Sequence, residues 1–192
     1  MAHENDNIRQ IEDDSQLDQA LAEENELIEI DFPEDVQKVL FYSIDEATKK
    51  IETGEELVPF TMVLAGEDLF MDSHPVDEVD ECFASARQAI NAIAHIADAY
   101  VFCYDGYIET EDGDHDMLIA EVGMKGEEKG VAYGLIYELE LPETEDGNVS
   151  AAFDEGLLLL GDTDNLFDPN AVKTAEALQE AYASYEQDDE DE

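Results

Sequence analysis

Residues 100–141, YVFCYDGYIETEDGDHDMLIAEVGMKGEEKGVAYGLIYELEL, decide the fold. Aromatic and β-branched residues recur through this stretch in short blocks, and each block is closed by Gly, Asp or Glu. Tyr100–Glu109 reads as one strand, Thr110–Asp114 as a hairpin turn and Met117–Val122 as a second strand. Gly123–Gly130 reads as a loop and Val131–Leu141 as a third strand. Parallel pairing would need crossovers of a dozen or more residues, so these connections force antiparallel neighbours.

Towards the C-terminus, Pro142–Asn148 is a polar loop and residues 149–160 offer a fourth strand. Asp168-Pro169 then opens a closing helix with Val172, Ala175, Leu178 and Tyr182 on one face. Towards the N-terminus, Val76, Val79, Phe83, Ala86, Ile90, Ile93 and Ala97 form a helical apolar stripe. Ser73 or His74 is the expected cap of that helix, with Pro75 in its first turn. Before it, Leu57–Leu64 and Leu69–Met71 flank a turn at Ala65–Asp68. A first helix over Pro33–Thr53 carries Val36, Leu40, Ile44, Ala47 and Ile51 on one stripe, with Gly54 just past its end.

The order is therefore α-β-β-α-β-β-β-(β)-α. The expected architecture is a two-layer α+β domain, a mainly antiparallel sheet of four to six strands with two or three helices on one face. Residues 34–185 make the domain, 1–33 a partly disordered acidic extension and 186–192 a disordered acidic tail.

The chain has 192 residues, with 53 Asp and Glu against 8 Lys and Arg and a formal net charge of -45. The charge is not confined to the ends: residues 36–185 hold 34 acids and 7 bases. Spread over a compact surface of this mass, such charges lie about 14 Å apart and repel by about 0.3 kcal/mol per neighbouring pair in unscreened water. The Debye length is about 10 Å at 0.1 M salt and about 3 Å at 1 M, so concentrated salt removes most of that repulsion. Together with six lysines and no tryptophan, this is the composition expected of a halophile-adapted cytoplasmic protein. Eight cations are too few to neutralise a run of phosphates or to hold an anionic membrane surface, so neither nucleic acid nor membrane is an expected partner. There is no apolar run of about 18 residues, and Met1–Asp6 has neither a basic nor an apolar character.

Candidate chemistry is sparse. Cys82 and Cys103 are far apart with no Cys-x-x-Cys, so neither a zinc site nor a dithiol centre is expected. Asp112–Asp116 resembles the start of a calcium loop but fails the EF-hand pattern, which counted from Asp112 needs Gly where Met117 stands and Glu where Gly123 stands. Asp162–Asn165 fails likewise. His3, His74, His95 and His115 are not spaced as ligand pairs, and no nucleotide fingerprint is present. No metal or cofactor is expected.

The departure from the chain's own habit is the loop Gly123–Gly130, which holds two of the eight cations, Lys125 and Lys129, among three glycines. Lys125, Lys129, Gly126 and the hairpin residue Tyr107 form the candidate ligand site, since glycine lets backbone amides approach an anion that two ammonium groups could hold. Asp105 or Glu121 is then the candidate base. With no complete catalytic constellation, the leading reading is a non-enzymatic protein-interaction or regulatory module, a homodimer or the binder of a protein partner. Its contact would use an exposed sheet face or edge, and the stripe Tyr133, Leu135, Tyr137 and Leu139 suits sheet packing or pairing. The alternatives are an enzyme or binding protein for a small anionic metabolite, and an acidic mimic that binds a basic protein.

Overall fold

The structure, a computed structural model, describes residues 30–76, 78–110, 113–140, 149–154 and 156–174. The acidic tail at 186–192, nearly all of the expected extension, and Ala175, Leu178 and Tyr182 lie outside these residues. Helix α1 (Glu34–Glu52) begins where Pro33 cannot continue a helix backwards and ends in a Schellman turn. There the Gly54 N–H donates to Ile51 O (2.9 Å) and the Glu55 N–H to Lys50 O (3.1 Å), while Gly54 takes φ +73°.

The strands are β1 (Phe60–Ala65), β2 (Asp68–Ser73), β3 (Ala99–Thr110), β4 (Gly113–Met124), β5 (Lys129–Glu140), β6 (Ser150–Phe153) and β7 (Leu158–Asp164). Helix α2 (Val79–Ala92) separates the first hairpin from the long meander, and residues 169–174 are helical at the end of the described chain. All pairings are antiparallel, in the order β2-β1-β3-β4-β5-β6, with β7 also on β5. The α+β class and the element order are those expected.

Three expectations are corrected. The sheet has seven strands, because residues 149–160 break near Gly156 (φ +110°) instead of running as one strand. The resulting β6 and β7 take opposite halves of β5's outer side, β6 against Tyr137–Glu140 and β7 against Lys129–Gly134.

Second, the helices do not share a face. Along β3, Ala99, Val101 and Cys103 pack with Val36, Leu40 and Ile51 of α1, whereas Tyr100, Phe102 and Tyr104 pack with Cys82, Ala86 and Ile90 of α2. The central strands are thus buried on both sides, which is why Ala99–Tyr104 is apolar without a break. The α2 face is aromatic: Phe83 meets Phe102 and Tyr104 edge-on at centroid distances of 5.1 and 5.4 Å.

Third, α2 is capped at Glu78, four residues beyond His74 and five beyond Ser73, the expected caps. The His74 N–H donates to Pro59 O at 2.7 Å and extends the β1–β2 ladder, so the chain stays extended there and the His74 ring is buried.

Candidate functional site

The loop that drew attention in the sequence contracts to Lys125–Glu128, a tight connection between β4 and β5. Its backbone is braced from outside. The Lys125 N–H donates to Asp98 O (2.8 Å), and Asn165 Nδ2 donates to Met124 O (2.8 Å) and Glu127 O (2.9 Å). Two of its three glycines are explained by packing. A Cβ on Gly123 would lie 2.4 Å from the buried Tyr100 ring, and one on Gly130 would lie 2.8 Å from Thr163 Oγ1 and Val122 O. Gly126 supplies the turn, with φ +89°. Lys129 Nζ faces Asp164 Oδ1 at 3.5 Å, an exposed pair across β5 and β7.

Tyr107 does not join this loop. Met124 pairs with Ala99 at one end of the β3–β4 ladder, and Tyr107 pairs with Asp116 eight residues further along β3, about 26 Å away. Tyr107 instead shares the α1 side of the sheet with Asp105, Asp116 and Tyr137. The Tyr137 hydroxyl donates to Asp105 Oδ1 at 2.8 Å. The Asp105 carboxyl is pushed above the ordinary range by the protein around it, helped by the Asp116 charge and opposed by the Tyr137 bond, although the residue keeps solvent access. Tyr137 is pushed up by burial and by the carboxylate it serves. Glu121, the other candidate base, lies on the opposite face, 1% exposed, and accepts a 2.7 Å bond from the Tyr104 hydroxyl. The five polar side chains proposed as one site are therefore dispersed over two ends and two faces of the sheet.

A constellation not anticipated from sequence surrounds His74. Its Nδ1 lies 2.9 Å from Ser85 Oγ on α2, and its Nε2 lies 3.1 Å from Thr61 Oγ1 on β1. Burial holds the imidazole below its ordinary pKa, with only Asp72 pulling the other way, so the ring is neutral near pH 7 and links helix to strand. A threonine thirteen residues before a histidine and a serine eleven residues after it carry no sequence signature. The two thiols are free and buried on opposite faces of the sheet, and burial pushes Cys82 up to about 11. Among the described residues no group of three His, Cys, Asp or Glu side chains is placed to hold a metal ion.

Comparison with protein-family models, with curated proteins and with solved structures finds no match to this chain.

The β5 stripe serves core packing. Tyr133 and Tyr137 are buried in the cluster on the α1 side of the sheet, and Leu135 packs against the same cluster, which leaves Leu139 exposed. Among the described residues the sheet is open at β2. Every β2 residue is exposed, and Leu69, Phe70 and Met71 show 45%, 43% and 47% of their surfaces. The backbone register defines what the edge offers. His74 bonds to Pro59, so in this antiparallel ladder Asp68, Phe70 and Asp72 turn their N–H and C=O groups towards β1. Leu69, Met71 and Ser73 turn theirs outwards. The sequence signal is three consecutive large apolar residues between Asp68 and Asp72.

Proposed function

We propose that this protein is a non-enzymatic protein-interaction or regulatory module of a salt-rich cytoplasm that accepts an extended strand on the free edge of β2. One observation carries the reading: among the described residues no strand lies beyond β2, which offers outward backbone groups at Leu69, Met71 and Ser73 together with three half-exposed apolar side chains. Strand addition draws affinity from main-chain hydrogen bonds and selectivity from alternate side chains, and this edge supplies both. Exposed edges of this kind are usually blunted by lysine, proline or a bulge, and β2 has none of these.

The salt-rich setting is supported by the charge of -45 and by the way cations are used. Lys38, Lys49 and Lys129 each face a carboxylate across an exposed pair, a geometry that contributes little to stability.

The test is a contrast in the protein's own cell extract at native salt. Met71→Pro removes an outward N–H while leaving the β1–β2 bonds intact. A stoichiometric companion, whether another protein or a second copy, should co-purify with the wild type and be lost from Met71→Pro. Retention of every companion by a folded Met71→Pro protein overturns the reading.

A further inference from the structure

We infer that the strand received by β2 is β2 of a second copy, paired antiparallel about Phe70 to make one continuous sheet across two protomers; this rests on the edge-pairing reading above. Two antiparallel edge strands related by a two-fold axis keep each face of the sheet on the same side. Facing residues must then have the same parity, and a register centred on Phe70 satisfies this. Leu69 of each copy faces Met71 of the other and exchanges both backbone bonds with it, using the groups that point outwards. Phe70 faces Phe70 as the closely spaced, non-hydrogen-bonded pair. Every exposed apolar side chain of β2 thereby meets an apolar partner, a match that a strand of arbitrary sequence would lack.

The same register opposes Asp68 to Asp72 twice. Like charges directly across a ladder destabilise it, and the two chains also carry -45 each. Salt must therefore gate the association. The carboxylates hold the copies apart in dilute buffer and cease to do so when the Debye length falls to about 3 Å. A contact of one six-residue strand per copy lies at the small end of interface sizes, so the association is weak and needs concentrated protein.

The test uses the purified full chain. Light scattering at about 1 mM protein should show mass doubling at about 3 M KCl and monomer at about 0.1 M KCl, with Met71→Pro monomeric throughout. Oxidation of Phe70→Cys at high salt should trap a covalent dimer, because the facing Cα atoms of such a pair lie about 4.5 Å apart, within disulfide reach. The wild type, whose two thiols are buried, and Met71→Cys should not trap. A monomer at every salt concentration overturns the inference, as does trapping no faster in Phe70→Cys than in Met71→Cys. If the pure chain stays monomeric while Met71→Pro still loses a companion from extract, the second copy is excluded and the edge reading stands. If neither assay responds to β2, both fail.

Discussion

Ser85 Oγ and His74 Nδ1 lie 2.9 Å apart and join the middle of α2 to the strand that precedes it. Burial favours the neutral imidazole, so the folded protein binds this proton less readily than the unfolded chain. The stability it lends is present above the unfolded histidine value of about 6.5 and is lost as pH falls through the window below it. Melting temperature at fixed high salt should drop between about pH 7 and pH 5.5, and His74→Gln should flatten that slope. An unchanged slope in His74→Gln would assign the loss to other groups.

Asp105 predicts the opposite sign. Its carboxyl is held above the ordinary range, so its contribution favours the fold at low pH and is lost as pH rises through the raised value. Asp105→Asn keeps an acceptor for the Tyr137 hydroxyl and removes the charge beside Asp116. It should raise the melting temperature at neutral pH relative to acid pH, as read from paired thermal melts.

Gly123 and Tyr100 are mutually dependent. Gly123→Ala forces a methyl group against a buried ring and should cost about 1–3 kcal/mol, measured by denaturant titration at fixed salt. Tyr100→Phe keeps the ring and loses the 2.9 Å bond that its hydroxyl accepts from the Leu166 N–H, at a cost of about 1 kcal/mol. A Gly123→Ala protein as stable as wild type would mean that the ring has room to move.

The Lys129–Asp164 pair is exposed at both ends. Lys125→Ala combined with Lys129→Ala should change stability by no more than about 0.5 kcal/mol. A phosphate-dependent rise in melting temperature that vanished in this double variant would restore the anion-binding alternative.

The whole fold should be strongly salt-dependent. With a net charge of -45, melting temperature should climb steeply between about 0.1 and 2 M KCl, as carboxylate repulsion is screened. A flat profile would remove the halophile reading.

Much of the fold was legible because its elements are written in local pattern. The α1 stripe from Val36 to Ile51 ends at a glycine, and three long strands are separated by short polar turns. What was not legible depends on burial from two directions. Ala99–Tyr104 is a continuous apolar run, the mark of a strand covered on both faces, yet order of elements alone suggested helices on one side. The candidate site failed for a related reason. Tyr107 and Lys125 are separated by one hairpin in sequence, but the 12-residue strands β3 and β4 carry them to opposite ends of the sheet. Two of the three glycines that suggested a ligand cradle, Gly123 and Gly130, have the space beside them filled by Tyr100 and Thr163. The exposed edge at Leu69–Met71 is readable only from the topology, in which no described strand lies beyond β2.

The two margins of the sheet are unlike. On the far side β5 is bordered by two pieces, the four-residue β6 and the seven-residue β7, and the register shifts at Ala132/Tyr133, so that margin presents a broken line. A two-fold union at β2 consumes the margin formed by one unbroken strand and leaves the divided one. In brine, where charge no longer keeps copies apart, such one-sidedness lets the molecule double without running on into a fibre.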